Sequence, residues 1–192
     1  MHKAAVYLQS ILPEKTRYFV GAGCDVRTNS LMCITPEDQT MLLHRLKSDF
    51  FSYAVIDGFL HFTFSDDVLL EALSEPFPVQ EIAFSGEESL DNPDFYPVYL
   101  IRRTMALCRL HATDTSALPQ DSTARKLAVR QLLFPLLYAD MTKSRKEKNI
   151  NMLVSELSSL LSTIRFSDKE EAKRKLAVAK ATAGMLAKLF TM

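Results

Sequence analysis

Apolar residues change their spacing near the middle of this chain. Up to about residue 85 they come in short runs and alternations; from about residue 91 they return every three or four positions for most of the remaining length. In the first stretch, residues 3–12 predict a short amphipathic helix closed by Pro13. RYFVGAGCDV predicts a strand running into a Gly21-Ala22-Gly23 turn that needs positive φ. Thr35-Pro36-Glu37-Asp38 has the chemistry of a helix start, with Thr35 as cap and Pro36 in the first position, and that helix runs to about Phe50. SYAVID, one glycine and FLHFTF follow. Phe59, His61 and Thr63 alternate with Leu60, Phe62 and Phe64 at the period of a strand. Ser65 then caps a helix over residues 66–75, which Pro76 and Pro78 close, and PVQEIAF predicts one more strand.

The second stretch is helical in pattern throughout. In residues 91–112, Tyr96, Leu100, Leu107 and Leu110 share one face while Val98, Ile101, Met105 and Cys108 fill another. Two apolar stripes predict a helix surrounded by others, the first and central one of a bundle, capped by Asp91 or Asn92 with Pro97 delaying its regular part. A second helix starts at Ser122 or Thr123, with a kink or break at Pro135. TKSRKEKN predicts a basic turn, and INMLVSELSSLLSTIRF a third helix. Ser167 caps the last, in which Ala172, Leu176, Ala179, Ala183, Leu186 and Phe190 step by three and four residues to the end. The fold class expected is mainly α (α+β overall). A small α+β domain over residues 1–88 precedes a helical bundle of about four helices over residues 89–192.

Composition adds compartment and charge. With 192 residues, 47% of them hydrophobic and 24% charged, the chain has the make-up of a soluble globular protein able to bury a core. Cys24, Cys33 and Cys108 form no CxxC pair, which points to a reducing cytoplasm without disulfides, and no apolar run has the length of a membrane span. The neutral total conceals a division. Residues 1–96 hold six Lys/Arg against fifteen Asp/Glu, a net −9; residues 97–192 hold seventeen against eight, a net +9. A basic half of this kind is a candidate surface for nucleic acid or another polyanion, unless the two halves neutralise each other across an interface.

Little catalytic chemistry is legible. Cys24, Cys33, His44 and His61 lack zinc-ligand spacing, Cys108 reads as a packed apolar residue, and the lone GxG reads as a turn. Adjacent acid pairs Asp66-Asp67 and Glu87-Glu88 suit capping and a solvated loop better than general acid–base work. No catalytic residue, metal or cofactor is therefore assigned. The candidate RNA-binding residues are Arg102, Arg103 and Arg109 on the first bundle helix, Lys143, Arg145, Lys146 and Lys148 in the basic turn, and Lys169, Lys173 and Lys180 on the last helix. Tyr138 and Phe166 are the aromatics close to them in sequence, where base stacking would need such rings.

Three colinear pieces resemble class I arginyl-tRNA synthetase. Asp57-Gly58-Phe59-Leu60-His61-Phe62-Thr63-Phe64-Ser65-Asp66 is similar to the "GFINF-x-LS" segment that ends that family's N-terminal additional domain. Asp91-Asn92-Pro93-Asp94-Phe95-Tyr96-Pro97-Val98-Tyr99, followed by Arg103, is similar to its "NP-x-FYVQYAHAR" helix. Lys175-Leu176-Ala177-Val178, Ala181-Thr182 and Leu186-Ala187 are similar to the "RLALV-x-AT-x-x-VLA" last helix of the DALR-type anticodon-binding domain. Leu132-Leu133-Phe134-Pro135 and Leu153-Val154-Ser155-Glu156-Leu157 resemble that domain's "L-x-x-FP" and "YL-x-ELA". Together the matches span roughly residues 50–190. Only about twenty residues stand where the family carries its catalytic core, and the chain holds no HIGH-type or KMSK-type sequence. The resemblance thus implies a DALR-like bundle that binds tRNA or other structured RNA without synthetase catalysis. The alternative is a protein-interaction scaffold or homodimer built on the same helices.

Overall fold

The computed structural model describes residues 2–21, 29–79, 82–138 and 142–192. In chain order these form α1 (Lys3–Ile11), β1 (Arg17–Val20), β2 (Ser30–Ile34), α2 (Gln39–Arg45), β3 (Phe51–Ile56), β4 (Phe59–Phe64) and α3 (Asp66–Ser74). Then come α4 (Tyr96–Leu110), α5 (Ser122–Leu132), α6 (Phe134–Tyr138), α7 (Lys143–Thr163) and α8 (Lys169–Thr191). Eight helices and one four-stranded antiparallel sheet make the fold mainly α within the α+β class. Among the described residues, no helix is long and apolar enough to cross a membrane.

The sheet runs β1-β2-β4-β3. β3 and β4 join through Asp57 and Gly58, both at positive φ (51° and 80°), the geometry a two-residue hairpin demands so that its twist matches the strands. That turn fixes the register Ile56↔Phe59, and the alternation in β4 then sends Leu60, Phe62 and Phe64 into the core beside Leu31, Cys33 and Phe51. On the opposite face Phe19, Ile34 and Ile56 keep about 40% of their surface in water. Gly21 takes positive φ (70°) as expected at the end of β1, while Ala22 and Gly23 lie outside the described residues.

Several helix ends differ from the sequence reading, each for a local reason. Thr35 donates its hydroxyl to the Glu37 carbonyl instead of capping, so α2 starts only at Gln39. Asn92 turns the chain by accepting the Asp94 N–H (3.0 Å), and α4 begins at Tyr96 with Pro97 in its first turn. Asp121, not Ser122 or Thr123, caps α5, accepting the N–H groups of Thr123 and Ala124 at 2.9 and 3.1 Å. The break at Pro135 is present: α5 stops and α6 starts at Phe134. The basic segment is helical rather than a turn, since Thr142 accepts the Arg145 N–H and opens α7 at Lys143. Asp168 rather than Ser167 caps α8, accepting from the Glu171 N–H. Of the strand expected over residues 78–84, the described residues form none; Gln80 and Glu81 lie outside the described set.

The helix at the centre of the bundle is α8, not α4. Its residues from Leu176 to Ala187 are buried apart from Lys180, and it packs against α4, α5, α7 and α3. Alanine on several sides allows neighbouring backbones to come close, whereas the outer stripe of α4 ends in Leu110, 76% exposed. Gly184 extends this to a loop. A Cβ there would collide with the Phe77 carbonyl, and the Phe77 ring packs on Phe134 at 4.5 Å. One apolar core runs from the sheet through α3 into the bundle. Arg125 of α5 ties the parts at the surface, reaching Asp66 Oδ1 (3.0 Å) and Asn29 Oδ1 (3.2 Å), while Asn29 donates to the same Asp66 oxygen at 2.7 Å.

Candidate nucleic-acid interface

Cations of the helical half separate into those tied down and those left over. Arg125 pairs with Asp66, Arg130 with Glu156 (2.9 Å), Arg174 with Asp114 (3.5 Å) and Lys175 with Asp121 (3.4 Å). Burial pushes the Asp121 carboxyl upward, but the Ala124 N–H and the Lys175 ammonium outweigh it and hold the group below its ordinary value. These pairs order the fold. None of them belongs to the candidate set.

Eight of the ten candidates make no salt bridge to a described carboxylate: Arg103, Arg109, Lys143, Arg145, Lys146, Lys148, Lys169 and Lys180. The two exceptions are Arg102, joined to Glu88 at 2.8 Å and lying 5.7 Å from the Phe95 ring centre, and Lys173, joined to Glu170 at 3.0 Å. Only Arg102–Glu88 and Arg125–Asp66 link the acidic and basic halves among the described residues. Close ion pairs between the two halves are thus few among the described residues.

The candidates fall into three places. Lys143, Arg145, Lys146 and Lys148 occupy the first two turns of α7. Arg102, Arg103 and Arg109 lie along the exposed side of α4, with the Arg103 guanidinium donating to the Tyr99 hydroxyl at 3.5 Å. Lys169 and Lys173 stand at the start of α8, at the other end of α7, roughly 30 Å from Lys143 at 1.5 Å per helical residue. Lys180 sits apart, half-buried beside Cys108; burial pushes that thiol up, and the lysine only partly offsets it.

At the α8 end a notch of about 320 Å³ opens between the end of α4 and the start of α8. His111 and Phe166 stack across it with ring centres 4.0 Å apart and planes 24° from parallel, flanked by Leu110, Lys169 and Lys173. Phe166 is 41% exposed. Tyr138, the other aromatic singled out from sequence, is buried in the core and cannot meet a base. His111 was missed because its partner lies far along the chain; the only local hint was an aromatic immediately after a long helix.

Other chemistry is sparse. Cys33 is buried and its thiol raised by that burial, Cys108 donates to the Leu176 carbonyl at 3.7 Å, and Cys24 lies outside the described residues. Among the described residues, no three His, Cys, Asp or Glu side chains gather as metal ligands. A cleft of about 730 Å³ lies against β3, β4 and the start of α5, and part of its polar wall is the Asn29–Asp66–Arg125 network, already bonded to itself. Comparison with protein-family models, curated proteins and solved structures returns no match to this chain.

Proposed function

We propose that this chain is a non-catalytic, cytoplasmic relative of class I arginyl-tRNA synthetase that binds tRNA or another structured RNA through its helical half. The observation that carries the reading is the start of α7. Four cations crowd two turns, and Lys143, Arg145 and Lys146 stand in the first turn or at its edge, where the helix dipole favours carboxylates and each misplaced charge costs about 0.3–1 kcal/mol. None of the four is bridged to a described carboxylate. A phosphate chain reverses that cost, because it brings negative charge to the dipole and releases counterions. The arginines on α4 form a second, separate group of cations, and the His111–Phe166 stack beside Lys169 offers a flat face to an unpaired base.

Filter binding of total tRNA at two salt concentrations tests the proposal. Retention is expected at low salt, falling with a log–log slope of about 0.7–0.9 per phosphate contacted. Reversing Lys143, Arg145 and Lys146 to Glu lowers it without loss of helical signal. No retention at low salt overturns the reading.

The open sheet face favours a second reading, a protein-interaction scaffold. Phe19, Ile34 and Ile56 stand exposed on one surface where an antiparallel sheet facing water ordinarily carries polar side chains. Sedimentation of the chain alone and of Phe19→Asp/Ile56→Asp distinguishes the cases. A salt-independent dimer abolished by these changes favours the scaffold, and a monomer in both counts against its homodimer form.

A further inference from the structure

Away from the cations, a cavity of about 350 Å³ lies where the start of α1, the end of α3 and the α5–α6 junction meet. Gln131 lines it, only 6% exposed, and its Oε1 is buried without a hydrogen-bond partner. An unsatisfied buried acceptor costs about 1–3 kcal/mol, so a native fold retains one where something fills the gap. The same wall carries Glu71 of α3 and Glu75 at its C-cap, while Leu132, Phe77 and Pro135 supply an apolar side.

Lys3, exposed and without a salt bridge to either glutamate, and His2 also line the cavity, and His2 does not compete for that acceptor. Its Nδ1 accepts the Ala4 N–H at 3.1 Å, which leaves the ring proton on Nε2. Nε2 lies 3.2 Å from Glu71 Oε2 but out of hydrogen-bond alignment, so the ring holds the carboxylate by proximity alone. One neutral amide oxygen and two carboxylates therefore outnumber the single Lys3 ammonium around an apolar slot. At about 30 Å³ per molecule, roughly a dozen waters would be needed to fill this volume, and the apolar wall gives them few partners.

We propose that this cavity binds a primary ammonium carried on an unbranched alkyl chain. An ammonium has three N–H donors and no acceptor, matching Gln131 Oε1 and the carboxylates of Glu71 and Glu75, and the methylenes lie against Leu132, Phe77 and Pro135. A free aliphatic amine and a lysine side chain of another protein present the same chemistry. The site is independent of RNA binding.

Ligand-observed saturation-transfer NMR on the full chain tests the assignment with 1,4-diaminobutane, N-acetyl-lysine methylamide and tetramethylammonium as probes. Saturable transfer is expected from one or both amines. Diaminobutane alone identifies a free amine as the source, and transfer from the lysine amide identifies a side chain. Tetramethylammonium, which has charge but no N–H, is expected to bind at least tenfold more weakly. Glu71→Gln/Glu75→Gln changes only exposed side chains and keeps the fold; it is expected to weaken the amine at least tenfold, as is Gln131→Leu. Absence of transfer from both amines overturns the proposal. So does equal binding of tetramethylammonium, or binding unchanged in both variants.

Discussion

Tyr138 shows how one residue can be read from sequence as functional and be structural. Its ring is buried against Phe134 at 4.8 Å, beside the two-point pairing of Arg130 with Glu156. Burial pushes its hydroxyl up to about 12, the Arg130 guanidinium offsetting only part of the effect. A tyrosine raised above its unfolded value of 10.0 lends stability that is whole below pH 10 and disappears as pH climbs through about 12. Urea midpoints should accordingly fall across that window in the wild type and fall less in Tyr138→Phe. The slope that remains belongs partly to Tyr18, likewise raised to about 12 by burial. Asp121 works in the opposite sense. With its pKa held below 3.8, it stabilises above that pH and ceases to do so as acid titrates it. Asp121→Ala removes the α5 cap, the Lys175 pair and the bond from the Thr163 hydroxyl, so a loss of about 1–2 kcal/mol is expected at neutral pH by urea melting.

At the scale of elements, α7 sets stability against binding. Lys143→Glu with Arg145→Glu places carboxylates where the dipole welcomes them. Thermal unfolding should then shift upward, by about 0.3–1 kcal/mol for each change, while tRNA retention drops. Residues that merely decorate the surface would not separate the two measurements. Gly184→Ala tests the close approach of the Phe77 loop to α8, and a loss of about 1–3 kcal/mol in urea melting is expected because backbone must move. The same two helices show what could be read beforehand. β4 was legible because its alternation is local and a single Asp-Gly turn fixes the register. The start of α7 was not: lysines in a first helical turn look like solvated coil, and only the Thr142 cap reveals the helix. The central place of α8 was hidden as well, since alanine scores as weakly apolar although its small size is what lets four neighbours close on it.

For the whole molecule, the division at residue 88 marks a change of pattern rather than an edge of the core. Leu69 and Leu73 of α3 belong to the same apolar cluster as Leu127, Leu132 and Leu186, and Arg125 spans to Asp66 and Asn29 outside it. Urea unfolding followed by circular dichroism and by tyrosine fluorescence should therefore give one coincident transition. Arg125→Ala should lower its midpoint without splitting it. None of these long-range joins is visible in local sequence, because each unites residues far apart in the chain. The segregation of sign along the chain, by contrast, was legible at once, and among the described residues two salt bridges cross it. Its consequence is a permanent electric dipole. Near a polyanion such a molecule would be rotated before it touches, the basic helical part turning inward and the acidic part held away. The exposed sheet face, which belongs to that repelled end, would then point outward and stay available to a second protein while the first partner is bound.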